Sequence, residues 1–304
     1  MTSRAVSSRV VSSRVVTQPR RAPALRRRSL AALLTVPGAL LLTTGCGGPN
    51  PVPTSTDIAR DPLAALDLAV WNARSAEELR GLSIQGAAEE LDSWADLGAE
   101  DSVVDSARDL LTTFVGAAYL APGDLRGLDD EAAHDHIAKN APEFWQDGLR
   151  TAWDEGNRLF YAVALAEPFR TVGRPALAAD WHRTEHEEGP ALALGATIAW
   201  TALNTETRAV GVFAYRLGIL AQIAADGSAD DAAIRLTIHG LDGCGIADHE
   251  GLLVPALADD EKHREVQQST RDEVLASPHI PLEDLLDDGS PLFAGDDITY
   301  VTCD

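Results

Sequence analysis

The sequence predicts an α+β fold, with helices packed on a curved antiparallel sheet of long strands. Apolar residues recur at three- to four-residue spacing between about positions 63 and 155, and at every second position from about 190 to 240. Turn-forming stretches separate the alternating runs, which makes the strands consecutive and antiparallel.

Taken in order, Asp61-Pro62 opens the first helix as N-cap and first helical residue, with Leu63, Leu66, Val70 and Ala73 following at helical spacing. Ser75-Ala76-Glu77-Glu78 has the form of a capping box. Ser102 is the expected cap of a third helix, in which Val104, Ala107, Leu111, Phe114 and Ala118 share a face and Pro122-Gly123 forms the stop. Asp129-Asp130 begins a fourth helix that ends before Pro142. Glu143 to Glu155 makes a fifth, closed by Gly156-Asn157, with Trp145, Leu149 and Trp153 on one face.

The strands follow. Between Ala191 and Leu203 the bulky residues are Leu192, Leu194, Ile198 and Trp200; between Arg208 and Ile223 they are Phe213, Tyr215, Leu217, Ile219 and Ile223. A third run sets Ile234, Leu236 and Ile238 against Arg235, Thr237 and His239. Asn204-Thr205-Glu206-Thr207 and a stretch containing Asp226-Gly227 are the hairpin turns. The second strand is long enough to require strong twist or a bulge, at Gly211 or Gly218. Its apolar residues lie partly on both faces, so neither face is fully solvated.

Helices followed by a meander of long, bent strands over about residues 100–245 resemble the nuclear transport factor 2-like fold, a cone-shaped roll. The resemblance rests on element order. It implies a sheet curled around a long helix with a pocket at the open end, in a superfamily of isomerases, dehydratases and non-catalytic binding domains. Trp200, Phe213 and Tyr215 are the residues expected to line such a pocket, and core packing accounts for them equally well.

Residues 246–304 read as an extension. Glu261 to Leu275 is a polar helix, Pro278 to Asp297 an acidic loop, and Ile298 to Val301 a short strand. The remaining expected units are a signal peptide over 1–45, a flexible tether over 46–60, a helical lead-in over 61–100 and the roll over 101–245.

The first 45 of the 304 residues hold eight arginines and no acid, while the other 259 carry 17 basic and 47 acidic side chains, a charge of −30 within a total of −22. An acidic body excludes nucleic-acid binding through a broad basic face. The apolar run Leu30 to Leu42, preceded by Arg26-Arg27-Arg28 and broken by Pro37-Gly38, is too short to span a bilayer and suits a signal peptide. The basic stretch suits the general secretion route, and Arg27-Arg28-Ser29-Leu30 resembles a twin-arginine signal as the alternative.

The run ends in Leu41-Leu42-Thr43-Thr44-Gly45-Cys46. This resembles the lipobox of bacterial lipoproteins, with Thr43 where leucine is usual. The resemblance implies lipidation of Cys46, cleavage before it, and anchoring by acyl chains in the bilayer; a plain secreted protein cut nearby is the alternative. The Gly-Pro-rich stretch to Arg60 would then be a tether of about 45–50 Å at full extension. Two lysines beside 23 arginines suggest a high-GC Gram-positive chain, which places the body on the outer face of the plasma membrane. With Cys46 acylated, Cys244 and Cys303 remain, and outside the cytoplasm such a pair forms a disulfide; two buried thiols are the alternative.

Candidate chemistry is sparse. His182-Arg183-Thr184-Glu185-His186 contains H-x-x-E-H, which in the inverted zincin peptidases lies on a helix. There His182 and His186 would bind zinc and Glu185 would be the base, although Gly189-Pro190 would end any such helix; as a strand end, His182 and His186 would still share a face, and a polar strand end or exposed loop is the alternative. His134-Asp135-His136 does not present both histidines on one helical face. Tyr215 or His239 beside Asp242 is the remaining acid–base combination a roll pocket could hold. No motif calls for a cofactor. The expected function is a membrane-anchored, non-catalytic module that binds a small ligand or an envelope protein. The alternative is a pocket enzyme or metal-dependent hydrolase using His182, Glu185 and His186.

Overall fold

The computed structural model describes Leu63, 66–67, 69–186, 189–258, 261–294 and the backbone of 300–301. The signal segment, Cys46, the tether and Cys303 lie outside the described residues.

A short helix, α1 (Ala76–Arg80), follows Ser75, whose hydroxyl accepts from Glu78 N at 3.2 Å, while Glu78 Oε2 accepts from Arg74 N at 2.6 Å. The two-residue strand β1 (Ile84–Gln85) comes next. Helices α2 (Asp105–Val115), α3 (Asp130–Asn140) and α4 (Gln146–Asp154) form the helical layer. Asp129 caps α3 by accepting from Ala132 N at 2.8 Å. Ser102 does not cap α2. A 3-10 turn over Asp101–Val104 precedes that helix, and Ser102 Oγ instead donates to Glu100 Oε2 at 3.3 Å. The cause is Asp101, whose carboxylate is held by Arg183 and by Ile84 N, so that the chain tightens before the helix begins.

The sheet is built from β2 (Phe169–His186), β3 (Gly189–Asn204), β4 (Val210–Ile223) and β5 (Ala229–His239), in the order β1-β2-β3-β4-β5. All neighbours are antiparallel except β1 on β2. Of β2 only the end at 182–186 was weighed as a strand, and its course from Phe169 was not expected. A bulge separates Val172 from Ala176, with Gly173 at φ +73° inside it and Pro175 lacking an N–H to give. Beyond it the inward residues are Leu177, Ala179, Trp181 and Arg183, a series whose last member hides the alternation.

Register partners share a face, so Trp181, Leu194, Ile219 and Ile234 mark the inner face. There Leu192, Ile198, Trp200, Phe213, Tyr215 and Leu217 meet Leu111, Phe114, Tyr119, Ile137, Trp145 and Leu149 from the helical layer. Phe114 packs edge-on to Trp145 at 5.0 Å, and Tyr119 lies 5.2 Å from Tyr215.

The outer face is lined by small residues, among them Ala176, Ala178, Ala191, Ala193, Gly195, Ala199, Ala214 and Gly218. The chain after β5 covers it. Past β6 (Leu241–Asp242) and α5 (Gly243–Asp248), helix α6 (Glu261–Ser269) runs through a π-helical turn over Thr270–Leu275, placing Val274 against Ala176, Ala178 and Ala214. The stretch expected as an acidic loop contains α7 (Leu282–Leu286) and a 3-10 turn at Pro291–Phe293. Ile280 and Leu285 bury themselves against Ala191, Ala193 and Leu220. The fit depends on glycine: a Cβ on Gly195 would lie 3.2 Å from Ile280 Cβ, and one on Gly218 would lie 2.9 Å from the Phe293 ring. Strand β7 (Tyr300–Val301) pairs in parallel with β6, setting Val301 opposite Asp242, two residues before each cysteine.

Candidate functional site

The three pocket candidates sit in the inner core. Trp200 is 3% exposed, and Phe213 and Tyr215 are fully buried. Trp200 Nε1 donates to Tyr119 O at 2.8 Å, and Tyr215 Oη donates to Leu159 O at 3.1 Å. Tyr119 Oη likewise donates to Phe160 O at 2.7 Å, and Trp145 Nε1 to Ala232 O at 2.7 Å. The polar ends of these rings are committed to main-chain carbonyls, which is how amphipathic aromatics are buried without loss. Burial raises both Tyr119 and Tyr215 well above the ordinary phenol range, so each stays protonated.

The H-x-x-E-H string lies on β2, not on a helix. Residues 182 and 186 are therefore about 13 Å apart along the strand, and Glu185 points to the opposite face from His182. Glu185 Oε1 accepts from Ser93 N at 2.8 Å, and this bond holds its carboxyl below the usual range. The main-chain carbonyl of His186 accepts from Gln222 Nε2 at 3.1 Å at the hairpin end. The three side chains do not converge. Arg183 between them is buried, donating to Gly86 O, Ala99 O and Asp101 while its guanidinium lies 5.6 Å over Trp94.

Tyr215 and His239 occupy opposite faces of the sheet, since His239 pairs with Ala214 and Tyr215 with Ile238. Asp242 caps α5 by accepting from Cys244 N at 3.0 Å and lies 3.6 Å from His263 Nε2. Cys244 itself is disulfide-bonded.

Two clusters emerge that the sequence did not single out in this form. On α3, Glu131, His134 and Asp135 share a face, with one potential ligand atom from each within 4.8 Å of the others. A cation already stands there: Arg150 donates to both oxygens of Glu131, at 3.1 and 2.8 Å, and to His134 Nδ1 at 2.8 Å. His134 Nδ1 thus lies between Arg150, which only donates, and Asp135 Oδ1 at 3.2 Å, which only accepts; its Nε2 is buried without a hydrogen-bond partner, and the ring packs edge-on to Trp153 at 5.6 Å.

The second cluster is on the outer face of β2. Asp180 accepts from Gln85 Nε2 at 2.8 Å on one oxygen and from His279 Nδ1 on the other. His182 is two residues along the same face and half-buried. Burial lowers its pKa below the usual histidine value, opposed by the charge of Asp180. His279 arrives from the segment joining α6 to α7, whose Pro278 O accepts from Thr197 Oγ1 of β3.

No family model, curated protein or solved structure matches this chain. Its chemistry therefore rests on these geometries alone. In the helix-side interior Tyr119, Trp145, Trp200 and Tyr215 are bonded to main-chain carbonyls, and Arg183 pairs there with Asp101. Among the described residues no helix is long and apolar enough to cross a membrane.

Proposed function

We propose that this chain is a lipoprotein held on the outer face of the plasma membrane through acylated Cys46, and that its α+β body is a non-catalytic module that binds a ligand or an envelope protein. The observation that carries the reading is the arginine-led apolar run ending in Leu42-Thr43-Thr44-Gly45-Cys46 and followed by a Gly-Pro spacer. The disulfide at Cys244 supports an oxidising compartment.

The non-catalytic half rests on the inner core. A pocket enzyme needs convergent ionisable groups beside a cavity, whereas the tyrosines and indoles of this interior are bonded to main-chain carbonyls. Two acyl chains suffice for stable anchoring. The charge of −30 on the body repels an anionic surface and favours neutral or basic partners.

Metabolic labelling with a clickable palmitate analogue tests the anchor. Labelled protein partitions into detergent phase, and Cys46→Ala loses both label and partitioning. Equal partitioning of the variant would refute the lipoprotein assignment. Crosslinking on intact cells, followed by mass spectrometry of the captured neighbours, identifies the partner.

A further inference from the structure

Glu131, His134 and Asp135 bring three metal-ligand side chains to one face of α3. Their spacing of i, i+3 and i+4 stacks them on adjacent turns, and one ligand atom of each lies within 4.8 Å of the others. The arrangement gathers lone pairs. Asp135 Oδ1 is 3.2 Å from His134 Nδ1, and Arg150 Nη2 is the positive charge between them, 2.8 Å from Glu131 Oε1, 2.8 Å from His134 Nδ1 and 3.9 Å from Asp135 Oδ1. His134 is an independent mark of a missing ligand. The residue is 5% exposed, and neither neutral tautomer satisfies it. A proton on Nε2 finds no acceptor there and leaves Nδ1 facing the lone pairs of Asp135. A proton on Nδ1 confronts the Arg150 N–H instead and leaves the Nε2 lone pair buried without a donor. A metal ion in the place of Arg150 Nη2 would take lone pairs from Nδ1 and from Asp135 together, which removes the conflict at Nδ1.

We propose that Glu131, His134 and Asp135 bind a borderline divalent transition-metal ion such as Zn2+, and that Arg150 neutralises the site when the ion is absent. One imidazole and two carboxylates suit such an ion, whereas Mg2+ and Ca2+ take oxygen ligands. The Glu131 and Asp135 side chains are exposed, so they can close to the roughly 3.3 Å that separates donors about one bound ion. The His134 ring is held against Trp153, so the mobile carboxylates close on a buried nitrogen that stays in place. Arg150 has somewhere to go. Its pair with Glu131 lies at the surface, where such pairs contribute little, and Asp154, one turn along α4, already stands 3.6 Å from its Nη1.

The test uses the full chain in detergent micelles, purified without a histidine tag and stripped with chelator. Titration calorimetry is expected to show one saturable Zn2+ site that excess Mg2+ does not displace. Glu131→Gln and Asp135→Asn each weaken it by about tenfold or more. Arg150→Gln tightens it by removing the competing cation, and His136→Gln and His182→Gln leave it unchanged. Absence of a saturable site overturns the proposal, as does binding that both carboxylate changes leave intact or that Arg150→Gln abolishes. Loss of the site on His182→Gln would place the ion elsewhere and overturn it as well. Because replacing a buried ring also perturbs folding, the part of His134 is read in the unaltered protein. The nitrogen resonance of its Nδ1 is expected to shift on Zn2+ addition further than that of any other histidine, and an unmoved His134 resonance overturns the proposal.

Discussion

His239 shows how a single side chain can set the pH response of this molecule. It is 1% exposed on the outer face, with Nε2 3.3 Å from Thr237 Oγ1 and Arg216 on the neighbouring strand. Burial, with the Arg216 charge adding to it, lowers its pKa from the ordinary 6.5 to about 3. The unfolded chain therefore takes up a proton between those values that the folded chain refuses. Stability is fully present above pH 6.5 and is lost as pH falls toward 3. The urea midpoint is expected to drop between pH 7 and pH 4.5, and His239→Gln to flatten that drop. An equal drop in the variant would exclude His239 as its source. The lowered carboxyls of Glu185 and Asp226 add a loss at more acid pH, common to both proteins.

The covering segment at the C-terminal end makes the outer face a second core. Leu285 is 3% exposed between Ala191, Ala193 and Leu220, while its neighbour Leu286 is 37% exposed. Leu285→Ala is expected to cost about 2–5 kcal/mol in denaturant unfolding, and Leu286→Ala to stay within about 0.5 kcal/mol. A Leu285→Ala change as mild as that at Leu286 would mean the segment is loosely applied. Strands β3, β4 and β5 were legible because their inner apolar residues recur at period two, against small residues in β3 and against Arg235, Thr237 and His239 in β5. Strand β2 was not, because its inward Arg183 is made tolerable by Asp101 and Trp94, more than 80 positions earlier. The covering segment was illegible for a related reason. Ile280, Leu285 and Phe293 follow no single period, and what accommodates them is a Gly-Ala surface on distant strands. Helices α2 and α3 were legible because their contacts are local, although the cap at Ser102 yielded to the tertiary demand on Asp101.

At the scale of the whole molecule, the parallel pairing of β6 with β7 brings the C-terminal end of the chain back to Asp242. That register supports Cys303 as the partner of the disulfide-bonded Cys244. A loop of about 60 residues would then be closed, with the covering segment inside it, a constraint of about 4 kcal/mol by chain entropy. Denatured, unreduced protein is expected to show no reactive thiol at 244 or 303, and reduction to lower the unfolding midpoint. Two reactive sulfurs at these positions would sink the pairing. The sequence by itself determined the α+β class, the place of the helices at 76–80, 130–140 and 146–154, and three of the four long strands. These depend on periodicity and on contiguous motifs, which are written locally. Only the tertiary structure decided that the H-x-x-E-H string is a strand, that the aromatic trio is core, and that His279 meets Asp180. Those outcomes depend on register and on residues nearly a hundred positions apart, where burial and pairing override what any local stretch prefers.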